Sequence, residues 1–517
     1  MTNTKTITTK KTNRYVGALV ALAVLAMVAV VLAARPSYAS TTTFTVTSAT
    51  DLADVNPGDG VCDATASIED TCTLRAAIEQ ANATSGADVI DFDIIGGGVQ
   101  TITPSSTLPD ITDQVTIDGY TQPGASPNTK TVGDDAALKI TLDGTNLPNS
   151  SGLEISSSSG SVIRGLVINR FHNGVFIHGT SVGNRIEGNY IGTNPTGTID
   201  HGNNFNGVDI AGGPSETVVG GSTPDKRNVI SGNDGTGVFI DASNANLIKG
   251  NYVGTDKSGT KDLGNTSSGV AIEDASGTTV GGKTAVSGNV ISGNDNGGLG
   301  ILSSQGTKVL GNRIGTTASG TGALGNDLRG VAVYADSSGN LVGDGTSAGS
   351  NTIAFNGQDG VEVTDNSTGN EVSRNSIFSN AGLGIDLVGP GEGSFTNVPT
   401  PNDPGDADFG PNNLQNKPVL SSAKTVSGKT TIKGKLSSNT DETYIIEFYS
   451  NPTDTNEGKK FIDEKTVTTS VDGLRTFTLA TSVSVGQTIT ATATRESTKD
   501  STHDTSEFSA ARTVVSS

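Results

Sequence analysis

Residues 237–255 read GVFIDASNANLIKGNYVGT, and their pattern indicates how the chain folds. It contains three short segments, GVFI, ANLIKG and NYVGT, in which apolar residues recur at the spacing of strands with one buried face. Gly and Asn lie between the segments and favour tight turns. The stretch therefore predicts three short strands, whose apolar faces and edges must be covered by neighbouring units.

The GVFI phrase recurs along the chain at spacings of 24 to 33 residues. Its copies begin at Gly174, Gly207, Gly237, Gly269, Gly298, Gly330, Gly360 and Gly384. Self-similarity at such a period is typical of stacked architectures. With three strands per unit, it predicts an all-β, three-faced parallel β-helix whose coils are about 4.8 Å apart.

Asparagines recur in two registers of the repeat. They are Asn189, Asn251, Asn312 and Asn375 in one register, and Asn233, Asn294, Asn356 and Asn380 in the other. Asn tolerates left-handed backbone at turns, and its amide can bond to the equivalent amide one coil away. We therefore expect ladders that stabilise the stack rather than binding sites.

The N-terminal segment has the pattern of an export signal. Basic residues precede an uncharged apolar run at residues 16–34, and Ser37 and Ala39 favour cleavage before Ser40. The run is also long enough for an uncleaved membrane anchor. Both alternatives predict an exported protein, secreted or at the cell surface, that contacts a membrane only through residues 1–39.

Two cysteines, Cys62 and Cys72, lie close together in this exported chain, so we expect a local disulfide. Cys72 begins CTLRAAIEQAN, whose apolar residues fall on one face of a short helix. Together with FTVTS at 44–48 and GDG at 58–60, this segment resembles the N-terminal module of exported proteins that carry a Cys-Ser-Leu-Arg-Glu-Ala motif. Thr73 and Ala76 depart from that motif. The resemblance implies a capping helix ahead of a right-handed parallel β-helix.

The C-terminal part has a different pattern. Strand-like runs separated by turns follow a Pro/Gly/Asn-rich stretch, and they resemble an immunoglobulin-like β-sandwich, including the phrase TSEFSA at 505–510. The predicted division is an export segment at 1–39, a capping module at 40–95, a β-helix at 96–398, a linker at 399–418 and a sandwich at 419–517.

The chain is strongly acidic, with 33 basic and 53 acidic residues and a net charge of −20. Such a surface repels nucleic acid, which excludes it as an expected partner. Outward acids of the first strand are candidate ligand-facing groups, either as paired carboxylates or as cation ligands. They are Asp209, Asp241 and Glu273. The alternative is an ordinary solvated acidic face.

The linker contains a second acidic group, Asp403, Asp406 and Asp408, in the sequence NDPGDADFGPNN. Hard oxygen ligands separated by small residues suit calcium, although a polar linker has the same composition. Calcium is therefore the only cofactor that we consider.

The β-helix proteins that this chain resembles include pectate and alginate lyases, polygalacturonases and uronate epimerases, so an enzyme must be considered. The catalytic motifs of polygalacturonases and of uronate epimerases are absent from the sequence, and we predict no catalytic residues. We expect adhesion or binding of an extracellular polysaccharide or surface glycan. The alternative is an enzyme that acts on uronic-acid polymers, as a lyase, hydrolase or epimerase.

Overall fold

The computed structural model describes residues 41–65, 71–392, 397–453, 455–496 and 503–516. The predicted export signal or anchor lies outside these residues. Within the described ranges, no helix is long and apolar enough to cross a membrane. The predicted fold class is confirmed, because three long parallel sheets wind into a β-helix and two smaller sheets follow at the C-terminal end.

From Leu153 to Phe378, each coil contributes one strand to each of three sheets, which we call sheets C, A and B in the order that the chain visits them. In the coil quoted above, Val238–Asp241 lies in sheet C, Leu247–Lys249 in sheet A and Tyr252–Val253 in sheet B. The predicted three strands per coil are therefore confirmed.

The strands of the described residues are as follows. Sheet C contains Leu153–Ser156, Val175–His178, Val208–Ala211, Val238–Asp241, Val270–Glu273, Leu299–Leu302, Val331–Tyr334, Val361–Val363 and Ile385–Leu387. Sheet A contains Thr43–Val46, Asp88–Phe92, Val115–Asp118, Val162–Arg164, Arg185–Glu187, Val218–Gly220, Leu247–Lys249, Thr279–Gly281, Lys308–Leu310, Leu341–Val342 and Glu371–Val372. Sheet B contains Gln100–Ile102, Ile140–Asp143, Leu166–Asn169, Tyr190–Ile191, Val229–Ile230, Tyr252–Val253, Val290–Ile291, Arg313–Ile314, Thr352–Ala354 and Ser376–Phe378.

The alternation in each strand produces the core of the β-helix. Val238 and Ile240 are fully buried, whereas Phe239 between them points outward and is partly exposed. Val238 pairs with Val270 of the next coil in parallel register, so like residues stack along the axis. Each fully buried Val or Ile side chain contributes about 1.5–3 kcal/mol of transfer free energy. The core is therefore one column of apolar side chains that continues from coil to coil.

Asparagine ladders run through the buried turns, as predicted, and they contain more members than the sequence analysis identified. Within each ladder, Nδ2 of one residue donates to Oδ1 of the next at 2.8 to 3.3 Å. The first ladder is Asn189, Asn228, Asn251, Asn289, Asn312, Asn351 and Asn375, and the second is Asn203, Asn233, Asn265, Asn294, Asn326, Asn356 and Asn380. The ladders satisfy amide groups that would otherwise be buried without partners.

A short α-helix, Leu74–Ala83, covers the N-terminal end of the β-helix core. Thr73 caps it, since its side chain accepts a hydrogen bond from the N–H of Ala76. The structure places a disulfide between Cys62 and Cys72 just before the helix. The helix therefore protects the first coil from pairing with another strand.

A long segment between the first coils lies over the outer face of sheet B. Asp134 of this segment accepts a hydrogen bond from the Tyr190 hydroxyl at 2.8 Å, and Tyr252 stacks beneath the guanidinium of Arg227. The similar phrases VTIDG at 115–119 and ITLDG at 140–144 lie in different sheets. Val115–Asp118 belongs to sheet A and Ile140–Asp143 to sheet B, because the intervening segment advances the chain to another face. Short 3₁₀ turns occur at Gly119–Thr121 and Pro224–Lys226, and residues Pro411–Leu414 form a tight turn with left-handed backbone at Asn412 and Asn413.

The C-terminal residues form a β-sandwich. One sheet contains Val419–Val426, Lys429–Ser437, Leu474–Thr481 and Val515–Ser516, and the other contains Thr443–Asn451, Lys460–Thr468, Thr488–Glu496 and Arg512–Thr513. Buried side chains from both sheets, including Ile432 and Phe448, make one core between them. Assignment of this sandwich to the immunoglobulin-like class stays a prediction, as do the domain boundaries.

The sandwich closes the C-terminal end of the β-helix. Glu457 accepts hydrogen bonds from the N–H groups of Ser379 and Asn380 at 2.7 and 2.9 Å. Glu447 accepts another from the N–H of Arg374 at 2.9 Å. These carboxylates occupy the place of the next coil, and Glu457 also terminates the second asparagine ladder by accepting from Nδ2 of Asn380 at 3.2 Å.

Candidate functional site

The outer face of sheet C carries a groove, which forms where the outward side chains of successive coils are small. One column of partner residues contains Glu154, Phe176, Asp209, Phe239, Ala271, Gly300, Ala332, Glu362 and Asp386. Ala271, Gly300 and Ala332 follow one another in this column, between the larger Phe239 and Glu362, and have little or no side chain. The result is an open cavity of about 740 Å³ lined by Gly300 and Ala332.

Tyr334 and Arg329 contribute further polar groups to the groove. Tyr334 is two residues along the strand from Ala332, and a β-carbon built on Gly300 would lie 3.6 Å from its hydroxyl. Arg329 comes from the loop just before the same strand. The groove thus combines an aromatic ring, a hydroxyl and a guanidinium, together with the uncharged side chains of Asn296 and Thr364. Such a mixture suits a polyhydroxylated ligand.

A buried ion pair lies at one end of the groove. Arg329 Nε is 2.9 Å from Glu362 Oε1, and only 5% of the Glu362 side chain is exposed. Burial raises the pKa of Glu362, and Arg329 opposes that rise. The pair fixes the guanidinium in place, because breaking a buried pair leaves an uncompensated charge.

Two more buried carboxylates adjoin Glu362. Asp386 is its partner on the next coil, and Asp359 comes from the turn before the same strand. Burial, together with the charges of neighbouring acids such as Asp359 and Glu507, raises the pKa of Asp386 to about 8. A negative charge on Asp386 is therefore unfavourable unless a positive group compensates it.

The part of the β-helix that contains the groove matches a known protein family. The family model described as "Right handed beta helix region" matches residues 221–397. This part of the chain is a right-handed β-helix. A search of the curated proteins gives no match.

Several solved structures are similar to the chain. The A-module of the Azotobacter vinelandii mannuronan C-5 epimerase AlgE6 is 16% identical, with a TM-score of 0.41, over 60% of this chain and 73% of that one. The AlgE4 A-module is 16% identical, with a TM-score of 0.37, over 64% and 96%. The Acinetobacter baumannii bacteriophage Fri1 tailspike gp49, a capsular polysaccharide depolymerase, is 10% identical, with a TM-score of 0.20, over 83% and 78%. Likeness at this level transfers no activity to this chain.

The three acids predicted to face a ligand lie outside the groove. Asp241 and Glu273 are partners on successive coils, but Asp209 occupies the neighbouring column, opposite Phe239. Asp209 is buried and accepts a hydrogen bond from Nδ2 of Asn206 at 2.9 Å. Among the described residues, the three acids do not form a group that could hold a metal ion.

A second polar cluster lies near the other end of sheet C. His178 Nε2 is 3.9 Å from Glu154 Oε2, and its ring stacks on Phe176 with centroids 4.6 Å apart. Asp110 completes a group whose potential ligand atoms lie within 4.8 Å of one another. All three polar residues are partly exposed, as expected for a solvated surface cluster.

The linker acids Asp403, Asp406 and Asp408 do come together, with one oxygen of each within 4.8 Å of the others. Asp406 already accepts hydrogen bonds from the N–H of Asn416 at 2.7 Å and from the Ser438 hydroxyl. Its carboxylate therefore joins the linker to the sandwich, whether or not it also binds calcium.

Sequence reasoning missed the groove, although a signal for it was present. The small residues Gly300 and Ala332 follow one another in the outward column of the repeat. The charged residues Asp209, Asp241 and Glu273 were predicted to face a ligand instead. A run of small outward residues between larger ones is the pattern that predicts a depression on a solenoid.

Proposed function

We propose that the protein is an exported polysaccharide-binding protein whose groove on sheet C holds a glycan. The observation that carries this proposal is the open cavity of about 740 Å³ over Gly300 and Ala332. The disulfide between Cys62 and Cys72 and the predicted export segment support a location outside the cytoplasm.

The charge of the groove favours a neutral or amino-sugar polymer. Glu362, Asp365 and Glu392 line it, and Arg329 is the only basic residue among the described residues of its lining. Because Arg329 is paired with Glu362, the groove offers no free positive charge to a uronic acid. Repulsion between like charges would weaken binding of a polyuronate. Adhesion to a glycan-coated surface would be one consequence of the same binding.

The test is a substitution that fills the groove without disturbing the strand. Phenylalanine is compatible with this column, because Phe176 and Phe239 occupy it in earlier coils. We expect Ala332→Phe to weaken glycan binding by at least about tenfold, which corresponds to about 1.4 kcal/mol. Ala211→Phe is the matched control, since Ala211 is an outward residue of sheet C that does not line the groove.

Binding should be measured by calorimetric titration of the purified protein with neutral, amino-sugar and uronic-acid polymers chosen from a glycan array. A reducing-end assay on the same mixtures detects turnover. Equal affinity of Ala332→Phe and Ala211→Phe for every glycan would refute the groove as the binding site. Release of oligosaccharides by the wild type, lost in Ala332→Phe, would instead establish the enzyme alternative.

A further inference from the structure

Three buried acids meet at the C-terminal end of the groove. Asp359, Glu362 and Asp386 come from the last two coils of sheet C, and their exposed fractions are 3%, 4% and 4%. Glu362 and Asp386 are direct partners in the parallel register. Burial of three carboxylates at one point is costly unless positive charge or hydrogen-bond donors compensate them.

Their separations match the dimensions of a metal site. One carboxylate oxygen from each residue lies within 4.8 Å of the corresponding oxygens of the other two. Oxygens that surround a calcium ion lie about 2.3–2.6 Å from it, so that two of them are at most about 5 Å apart. Magnesium requires shorter distances of about 2.0–2.1 Å and near-ideal octahedral geometry. The three carboxylates are therefore close enough together to contact one divalent ion, and calcium, with its more flexible coordination, is the simpler fit.

Part of this oxygen set has no partner within the described protein. Glu362 Oε1 faces Arg329, but Oε2 is buried and receives no hydrogen bond. Asp386 lies beside Glu362 in the strand register, with 4% of the residue exposed. Asp359 accepts one from the N–H of Leu383 at 2.6 Å, which orients its carboxylate. Buried polar atoms without partners are rare in folded proteins, and they point here to a bound ligand.

The local charge is consistent with a divalent cation. Three ionised carboxylates and one guanidinium, that of Arg329, leave a formal charge of −2 on the cluster, and Asp365 and Glu392 add further negative charge nearby. The nearby pair of Lys417 and Glu507, 3.0 Å apart, is internally neutral and does not change this sum. A single divalent ion would balance the cluster.

We propose that Asp359, Glu362 and Asp386 bind a calcium ion at the end of the groove. The ion would connect the last two coils beneath the sandwich and remove the repulsion among the three acids. This proposal is independent of what the groove binds, and it is distinct from a calcium site at Asp403, Asp406 and Asp408.

The test is calcium binding by the full protein after removal of metal with EDTA. Calorimetric titration should give a Kd of about 10⁻⁴ M, as for other extracellular calcium modules. Magnesium should bind more weakly. Asp386→Asn should weaken calcium binding by at least about tenfold and remove most of the calcium-induced rise in melting temperature.

Two variants serve as controls. Asp209→Asn changes another buried acid of the same column, and Asp408→Asn changes the linker cluster. Both should keep the calcium response of the sheet C site. In EDTA, Asp386→Asn should melt at or above the wild-type temperature, because it removes an uncompensated carboxylate, so a loss of calcium binding cannot be attributed to misfolding.

Two results would overturn the proposal. One is no heat and no change in melting temperature for the wild type at calcium about a hundredfold above that Kd, which would mean that protons neutralise the cluster. The other is a full calcium response in Asp386→Asn that disappears in Asp408→Asn, which would place the ion in the linker.

Discussion

Glu457 is the side chain through which the sandwich completes the last coil, and its replacement tests how the β-helix is closed. The carboxylate accepts hydrogen bonds from the N–H groups of Ser379 and Asn380, and only 6% of the residue is exposed. Hydrogen bonds to charged groups contribute about 1.5–3 kcal/mol each. In Glu457→Gln one oxygen remains as an acceptor, while the amide NH₂ faces the other N–H group. We therefore expect a loss of about 2–4 kcal/mol in the free energy of unfolding of the last coil.

The assay is hydrogen exchange at the amides of Ser379 and Asn380, combined with urea denaturation. Glu464→Gln is the matched control, because Glu464 also joins the sandwich to the β-helix, through Arg374 at 3.1 Å, but is exposed. An exposed ion pair contributes only about 0–1 kcal/mol. If Glu457→Gln and Glu464→Gln leave exchange at both amides equally unchanged, the capping role of Glu457 is refuted.

Two further outcomes follow from buried polar groups of the stack. Asn294→Ala removes the acceptor for the N–H and Nδ2 groups of Asn265, and it should lower the free energy of unfolding by about 2–4 kcal/mol, measured by urea denaturation. Asn296 is exposed, so Asn296→Ala should have little effect. Equal stabilities of the two variants would contradict the role of the ladder. Burial raises the pKa of Asp209, so the folded state binds its proton more tightly than the unfolded state, and ionisation lowers stability as pH rises above the ordinary value of 3.8. The Asp209→Asn variant should therefore be more stable than the wild type at pH values above the raised pKa, and this advantage should disappear near pH 3.8, the ordinary pKa of an Asp side chain. The measurement is melting temperature against pH for both proteins. A difference in melting temperature that is the same at every pH would show that Asp209 does not titrate in this way.

The repeat could be recognised from the sequence because its physics is local. The alternation around Val238 and Ile240 determines which residues face the core, and the spacing of the glycines determines where each coil turns. The asparagine ladders could also be predicted from the sequence, since a buried amide at the same place in each coil can bond only to the equivalent amide of the next coil along the axis. The intermediate members Asn228 and Asn289 could not be assigned to the ladder from the sequence, because the loops before them differ in length from those of the other coils.

The acid cluster could not be recognised in the same way, and the small outward residues indicated a depression without indicating which residues line it. Asp359 and Asp386 are 27 residues apart in the chain, and only the parallel register brings Asp386 beside Glu362. Charge alone drew attention to Asp209, Asp241 and Glu273, but whether an acid is buried, paired or solvated depends on the side chains above and below it. Those neighbours belong to other coils, and their identity depends on the loop lengths between coils.

The strand pattern, the inward or outward direction of strand side chains and the stacking of coils follow from the sequence alone, because they depend on alternation within four residues and on recurrence between units. The folded structure is needed to see which residues line the groove, that three acids converge beside it and that the sandwich supplies carboxylates to the last coil. These features arise where residues distant in the chain share one surface, and distance between such residues is not encoded in any local pattern.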